Sequence, residues 1–408
     1  MSIYIVSSIL AVLISAVPAI AGTPDRPDET LTTVLHAIGL NPEDLSQKTD
    51  YSEDPYRLEV TKRILRWPPA GSTVGDEISS ELASPSAPHA LAMAQRHLRL
   101  SPKETRDGQI DGLPRIGTLP HSFQSLLEQF VIEVNQVHAL VKRERERFSA
   151  EERSWLLDLL QLVDPDRQSR EAEAASLLRL AGRIDMEAVT DGAQRLLSAR
   201  DAFLEGLQHL PQGEPLFEGG PIHLITAAGP VWIGGPGDDV YREPGAVIVD
   251  LAGNDRYEAG AAATSAVLPV SIGIDLEGSD FYGSCQARGA FGIGMLLDVS
   301  GDDRYSGGKG CQGSGIGGVG ILEDRKGNDR YESELGSQGF GLVGIGLLSD
   351  WEGDDEYQGD LLVQGAAGPG GVGILRDGSG SDRYEAGGRY ADFREDGAFT
   401  QSMAQGFG

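Results

Sequence analysis

A short motif returns seven times in the second half of the chain. In every copy an aspartate has a glycine two positions before it and a tyrosine two positions after it, and the first copy lies within GGPGDDVYR at residues 234–242. The spacings between successive motif aspartates are 16, 25, 23, 26, 26 and 27. A period of about 26 residues is typical of a solenoid, in which each repeat packs mainly against its neighbours. The seven aspartates are Asp239, Asp255, Asp280, Asp303, Asp329, Asp355 and Asp382.

A further aspartate stands five positions before the motif aspartate in all copies but the first, so the full unit is D-x-x-G-x-D-x-Y. Three positions are therefore identical in all seven copies, and a fourth is identical in six. These preceding aspartates are Asp250, Asp275, Asp298, Asp324, Asp350 and Asp377.

Glycine alternates with aliphatic residues between the motifs, as in Gly318-Val319-Gly320-Ile321. Alternation with period two indicates a β-strand, and a bare glycine face indicates that another backbone approaches closely. We therefore predict a parallel β-solenoid with one coil per repeat. Isoleucine, valine and leucine are expected to fill its interior, with the glycine face lying against a second surface.

Stacking the coils about 4.8 Å apart would bring the 13 aspartates of the two columns close together. Two like charges about 5 Å apart repel by roughly 3 kcal/mol at an effective dielectric constant of 20. Lysine and arginine do not follow the repeat, whereas a calcium ion takes six to eight oxygen ligands from carboxylates and carbonyls. The sequence thus predicts that all 13 aspartates bind calcium. Gly-Asx-Asp segments that form turns without metal are the alternative.

GGPGDDVYR also fits every position of G-G-x-G-x-D-x-U-x, the nonapeptide of repeats-in-toxin proteins, and the chain resembles that family over residues 234–385. The resemblance implies a calcium-binding role for the aspartate of each motif. Members of the family repeat this turn every nine residues, whereas this chain has one turn in each of its much longer repeats. A larger coil with one calcium-binding edge fits the spacing better than a thin β-roll.

Other residues recur at the coil spacing. The motif tyrosines predict a packed ladder, with exposed rings that stack on carbohydrate as the alternative. Cys285 and Cys311 are one period apart, which places them in one column and predicts a disulfide between adjacent coils; two free thiols are the alternative. Five glutamines resemble a ladder of amides bonded to one another: Gln286, Gln312, Gln338, Gln364 and Gln405.

The first half of the chain has different features. Residues 1–21 have no charged side chain and end in Ala-Ile-Ala, which predicts a secretory signal peptide, with an uncleaved anchor as the alternative. Residues 22–213 are predicted to form an all-α domain with an irregular, proline-rich front, ahead of the solenoid at 214–408. Ser149 and Glu152 form a capping box. Helices are predicted near residues 31–38, 56–67, 90–98, 122–148, 170–180 and 186–210.

The net charge of −28 argues against nucleic acid or an anionic membrane surface as a partner and favours cations. Combined with the export signal, this predicts a secreted calcium-binding protein that acts as a structural or adhesive module, with a cell-surface glycan or protein as its partner. Residues 405–408 repeat the QGFG of residues 338–341, which predicts a longer solenoid and end-to-end association.

Two alternatives remain open from the sequence. β-Helix folds include polysaccharide lyases and hydrolases, and the irregular segment at 388–403 is the place where such a site is expected. The other alternative assigns the function to the helical domain and makes the solenoid a spacer. Deleting either half of the chain would separate these alternatives.

Overall fold

The computed structural model describes residues 70–81, 86–101, 113, 119–167, 171–210, 216–217, 219–392 and 400–404. The chain forms two compact units, residues 1–84 and 85–408. The predicted signal peptide and the helices predicted at 31–38 and 56–67 lie outside the described residues, and the predicted domain boundary near 213 stays a prediction. Helix α1 (Ala70–Glu81) belongs to the first unit.

The second unit contains the remaining helices, and the four predicted within the described residues are confirmed. Ser149 starts α4 with the predicted capping box, in which its hydroxyl accepts the Glu152 N–H while the Glu152 carboxylate accepts the Ser149 N–H. The helices are α2 (Ala87–His97), α3 (His121–Glu146), α4 (Ala150–Leu157), α5 (Glu171–Ala181) and α6 (Met186–Gln208), with a 3₁₀ turn at Leu159–Leu162.

The buried face of α3 packs against α6. Phe130 stacks on Phe203 with ring centroids 5.2 Å apart, and Phe123, Leu127 and Val134 of the same face are fully buried. The apolar rhythm of residues 122–148 therefore marks a true helix–helix interface. Among the described residues, no helix combines the length and the hydrophobicity needed to cross a membrane.

Three sheets make up the rest of the unit. Sheet I has eight strands: β1 (Ile222–Ile225), β2 (Pro230–Ile233), β4 (Val247–Asp250), β6 (Val270–Asp275), β9 (Ile293–Asp298), β12 (Val319–Asp324), β15 (Ile345–Asp350) and β17 (Val372–Arg376). Sheet II has seven: β3 (Val240–Tyr241), β5 (Arg256–Tyr257), β7 (Phe281–Tyr282), β10 (Arg304–Ser306), β13 (Arg330–Glu332), β16 (Glu356–Gly359) and β18 (Arg383–Ala386). Sheet III has three: β8 (Gly289–Ala290), β11 (Gly315–Ile316) and β14 (Gly341–Leu342).

All strands except β1 pair in parallel with the equivalent strand of the next coil. Asp324 of β12 lies between Asp298 and Asp350, and Tyr331 of β13 pairs with Tyr305 of β10. Each repeat thus contributes one coil, and equivalent residues form columns. The predicted mixed α and β architecture, with helices followed by a parallel β-solenoid that has one coil per repeat, is confirmed.

The sequence predicted that the aliphatic face of the glycine strands fills the interior and that the glycine face lies against a second surface. The structure shows the glycines on the interior face. Leu322 packs among the tyrosines of the interior, so Gly320, two residues earlier, faces inward as well. A Cβ on Gly320 would lie 2.1 Å from the Ser314 carbonyl oxygen. Ile293 instead faces the helices, since its Cδ1 would lie 3.1 Å from a Cβ on Gly192 of α6. The coil is too narrow for side chains at the glycine positions, and the helices cover the aliphatic face.

Two buried arginines join the helices to the solenoid. The Arg145 guanidinium donates to the carbonyl oxygens of Phe291 (2.7 Å), Ser265 (2.6 Å) and Ala290 (3.1 Å), and its burial lowers its pKa to about 10. Arg200 of α6 pairs with Glu323 of β12 at 2.8 Å, with both side chains at most 3% exposed. The helical layer therefore packs on the solenoid as part of one compact unit.

Candidate metal-binding corner of the solenoid

The motif D-x-x-G-x-D-x-Y forms the corner between sheets I and II. Its first aspartate ends a strand of sheet I or, in the last copy, directly follows one; the next residues form the turn, and its tyrosine lies in a strand of sheet II. We call the first column the inner aspartates, because alternation along the strand places Asp324 on the same face as the interior residue Leu322. The second column is called the turn aspartates. The inner aspartates are Asp250, Asp275, Asp298, Asp324, Asp350 and Asp377; the turn aspartates are Asp239, Asp255, Asp280, Asp303, Asp329, Asp355 and Asp382.

The motif glycine allows the turns to stack directly. A Cβ added to Gly301 would lie 1.4 Å from the carbonyl oxygen of Gly278 in the preceding coil, a distance that no side chain tolerates. The same clash would occur at Gly327 and Gly353, where an added Cβ would lie 1.8 Å from the carbonyl oxygen of the preceding motif glycine. In the first copy, Gly237 has no such neighbour within 4 Å. Identity at this position is therefore a consequence of stacking one turn on another.

The motif tyrosines form one continuous stack, as predicted for a packed ladder. Neighbouring ring centroids are 4.5–4.8 Å apart, and the rings are within 12° of parallel. Six of the seven are at most 1% exposed, whereas Tyr384 is 39% exposed. Tyr282 and Tyr305 donate their phenol protons to Asp298 and Asp324 of the next coil, each at 2.6 Å. The repeat pattern alone did not predict that the phenol groups donate to the carboxylate columns.

The turn aspartates connect successive coils through one carboxylate oxygen. The Asp280 N–H donates to Oδ1 of Asp303 at 2.6 Å, and the Asp303 N–H donates to Oδ1 of Asp329 at 2.7 Å. The second oxygen, Oδ2, is buried in five of these residues and accepts no hydrogen bond from the described part of the chain. The five are Asp255, Asp280, Asp303, Asp329 and Asp355.

The two columns meet in five clusters of three carboxylates, and within each cluster one oxygen of every carboxylate lies within 4.8 Å of the others. Four clusters follow one pattern: an inner and a turn aspartate of one copy meet the inner aspartate of the next copy. Successive clusters of this kind share an inner aspartate, while the turn aspartate belongs to one cluster only. The clusters are Asp250–Asp255–Asp275, Asp275–Asp280–Asp298, Asp298–Asp303–Asp324, Asp324–Asp329–Asp350 and Asp355–Asp377–Asp382.

Twelve of the 13 predicted aspartates fall in these clusters, and Asp239 of the first copy does not. Asp239 precedes the first complete unit, so it has no inner aspartate of its own copy. The clusters are buried except at the last copy, where Asp377 and Asp382 are half-buried. These groups of oxygen ligands can hold a metal ion.

Burial and mutual repulsion disfavour the ionised form of the aspartate carboxyl groups in both columns. Burial, followed by the neighbouring carboxylates, raises the pKa of Asp250 and of Asp303 to about 9, and burial raises the pKa of Asp324 to about 7. None of the ion pairs in the described residues involves either column, which agrees with the irregular placement of lysine and arginine in the repeat. The carboxylates therefore require protons or a bound cation to stay buried.

A ladder of polar side chains runs beside the corner at the position before each turn aspartate. Asp302 Oδ1 accepts the Asn328 N–H at 2.8 Å, and Asn328 Oδ1 accepts the Asp354 N–H at 3.0 Å. This ladder was not among the sequence predictions, although the position holds only Asp, Asn or Ser in all copies. These residues are Asp238, Asn254, Ser279, Asp302, Asn328, Asp354 and Ser381.

The cysteine prediction is confirmed, and the glutamine prediction was wrong. Cys285 and Cys311 form a disulfide between adjacent coils, with Cα atoms 4.9 Å apart. Gln338 does not bond to another amide: its Nε2 donates to the Tyr331 and Gln358 carbonyl oxygens at 3.2 and 3.0 Å. Backbone carbonyl oxygens of two coils therefore accept the amide protons. Gln405 lies outside the described residues.

Comparison with known proteins returned no match, whether with protein-family profiles, with curated proteins or with solved structures.

Proposed function

We propose that this protein is a secreted structural or adhesive module whose solenoid is stabilised by calcium ions in the carboxylate clusters. The observation that carries the proposal is the row of buried Oδ2 atoms on the turn aspartates, which lack hydrogen-bond donors in the described chain. A buried carboxylate oxygen without a partner is costly, and a cation in the cluster would remove that cost. The five oxygens recur coil after coil, so the need for a cation recurs with them.

Charge and ligand type favour calcium. Each complete repeat contributes two carboxylates, so one divalent ion per repeat would leave the corner neutral. The clusters offer carboxylate oxygens with neither histidine nor cysteine among their members, and hard cations prefer such ligands. Magnesium demands near-octahedral geometry and keeps several waters, which suits a buried corner poorly.

The extracellular role rests on further features. The disulfide between Cys285 and Cys311 suits an oxidising compartment. The predicted signal peptide and the charge of −28 agree with a secreted, calcium-rich setting. A stack of parallel coils with helices packed along one side suits a structural or adhesive task, in which a cell-surface glycan or protein would be the partner. The polysaccharide-active alternative stays a prediction.

Ligand sharing makes the proposal testable by counting ions. Asp303→Asn removes a carboxylate that belongs to one cluster, whereas Asp298→Asn removes one that two clusters share. We expect chelated protein to gain β-sheet signal and thermal stability on calcium addition. Calorimetry should give one ion fewer per chain for Asp303→Asn and two fewer for Asp298→Asn.

Asp302→Asn is the matched control, because it removes the adjacent charge at a position where Asn254 and Asn328 stand in other copies. It should bind as many ions as the parent protein. The stacked tyrosines offer a second readout, since terbium bound in the clusters should luminesce when the tyrosines are excited. An unchanged melting temperature in calcium and no binding heat would overturn the proposal.

A further inference from the structure

The repeat breaks on the outer face of sheet I, in the two coils that end at Asp324 and Asp350. Ile274 and Leu297 stand just before the inner aspartate in two earlier coils, whereas Glu323 and Ser349 take this position here. The position after the inner aspartate changes in the same way. It holds Leu251, Leu276 and Val299 in the earlier coils and then Arg325 and Trp351.

Three of these altered residues, Glu323, Arg325 and Trp351, line a cleft of about 240 Å³ between sheet I and the helices. The cleft lies on the helix-covered face of sheet I, whereas the inner aspartates, which alternate with its residues along the strands, face the interior of the coil. Helix α6 forms its opposite wall, and the start of α2 closes one side. Its lining includes Arg325 and Trp351 from the solenoid, Leu204, Glu205 and Gln208 from α6, and Pro88 from α2.

The polar residues at these positions lower the stability of the fold, because they bury donors that the aliphatic residues of the other coils do not have. The Arg325 guanidinium packs over the Trp351 ring at 5.3 Å, yet the buried indole Nε1 has no acceptor among the described residues. The buried Nε of Arg325 likewise lacks a hydrogen bond within the described chain, although it lies 3.7 Å from Glu323. An unsatisfied buried donor costs about 1–3 kcal/mol. Local rules broken at such a cost are expected at functional sites.

The charges of the cleft are largely balanced within the protein. Arg200 pairs with Glu323 and with Asp201, each at 2.8 Å, and Arg325 also lies beside Glu323. A charged ligand would therefore gain little, and an anion would meet the field of a strongly acidic chain. The cleft combines donors (Arg325, Gln208), acceptors (Glu205, Gln208) and apolar surface, which suits a ligand with several hydroxyl groups.

We propose that this cleft binds one neutral sugar unit of a glycan chain. Its volume is below the roughly 300–1,000 Å³ typical of sites for drug-sized ligands, which restricts the occupant to about one ring. Trp351 supplies the aromatic surface and the indole donor, and Arg325 and Gln208 meet the hydroxyl oxygens. Arg325 and Trp351 each directly follow an inner aspartate, so every variant is also titrated with calcium, which distinguishes loss of the sugar site from loss of the metal site.

The test uses the full chain in calcium and the methyl glycosides of glucose, galactose, mannose and N-acetylglucosamine at millimolar concentration. We expect saturation-transfer NMR to detect at least one glycoside. Trp351→Phe, which keeps a ring but removes the indole N–H, should weaken it at least tenfold. Trp155→Phe is the control, because Trp155 is 50% exposed and lies outside the cleft lining.

Arg325→Leu separates a binding role from a structural one, since it restores the aliphatic side chain found at Leu251 and Leu276. This variant should bind sugar at least tenfold more weakly while its melting temperature is unchanged or higher. The proposal fails if no glycoside gives saturation transfer. It also fails if Trp351→Phe and Arg325→Leu bind like the parent protein, or if only an acidic sugar such as methyl glucuronide binds.

Discussion

The carboxylate corner and the helix-covered face of the solenoid are built from the same repeats but obey different rules. At the corner, glycine, the turn aspartate and tyrosine are identical in every copy, since each makes a fixed contact with the copy above or below. On the helix-covered face, Ile272, Met295, Ile321 and Leu347 share one column, and any buried aliphatic side chain serves. Exact residue identity is needed where backbone and hydrogen bonds meet, whereas burial alone requires only apolar character.

The largest effect is expected where the corner permits no side chain. Gly301→Ala would place a methyl group 1.4 Å from the Gly278 carbonyl oxygen, and no rotamer change can relieve a backbone clash. We expect the free energy of unfolding to fall by more than about 4 kcal/mol. Urea denaturation in calcium would measure this loss.

Gly237→Ala is the control, because the same motif position in the first copy has no atom within 4 Å of the added Cβ. Its stability should stay within about 1 kcal/mol of the parent protein. Equal losses for the two substitutions would show that the glycines are needed for their own backbone conformation and not for stacking.

On the helix-covered face the largest single effect is expected at Glu323. Glu323→Gln would leave Arg200, whose side chain is 3% exposed, without its buried partner, and breaking such a pair costs about 3–5 kcal/mol. Asp201 still contacts the guanidinium, so the lower end of this range is expected. Thermal or urea unfolding would measure the change.

Replacing both partners offers the comparison. The double variant Arg200→Met, Glu323→Leu puts an aliphatic residue where Leu297 stands one coil earlier, and its stability should be close to that of the parent protein. A double variant as unstable as Glu323→Gln would mean that the charges themselves hold α6 in place.

The sequence predicted the columns well and the contacts between columns poorly. Repeat spacing alone predicts that Asp298, Asp324 and Asp350 align and that Cys285 meets Cys311. It does not reveal which face of a glycine strand points inward, because that depends on the width of the coil. Repeat spacing also does not predict how the helices pack or that Trp351 lines a cleft, since both depend on distant segments that meet only in the folded chain.

The two regions should respond to pH in opposite directions. His138 of α3 is buried near Lys142 and Arg145; burial, followed by these charges, lowers its pKa to about 4. Between about pH 6.5, the ordinary histidine pKa, and about 4, His138 is protonated in the unfolded chain but neutral in the folded chain. The free energy of unfolding therefore falls as pH drops through this range. The loss should approach about 3 kcal/mol and should be absent in His138→Gln.

In chelated protein the carboxylate corner should give stability the opposite dependence on pH. The raised pKa of Asp250 and Asp303 means that the folded chain keeps protons which the unfolded chain has released, so stability falls as pH rises from about 4 towards 9. Calcium should suppress this alkaline loss, and because protons displace calcium from the carboxylates, the acid loss should be larger in calcium than in chelator. Melting temperatures across this pH range, with chelator and with calcium, would show both effects. A calcium-independent alkaline loss would contradict the cation assignment.

The smallest predicted difference compares the middle ring of the tyrosine stack with its last ring. Tyr305→Phe removes the phenol proton that Asp324 accepts in the buried interior, and a hydrogen bond to a charged group contributes about 1.5–3 kcal/mol. Tyr384→Phe removes a phenol donor to Asp377, the inner aspartate of its own copy, at a side chain that is 39% exposed, where water can replace the donor, and it should cost less than about 1 kcal/mol. Both variants keep the ring stack, so the difference between their urea midpoints isolates the phenol-to-carboxylate bond. Equal losses would show that the aspartates do not depend on the tyrosines and that the stack stabilises the coils through ring packing alone.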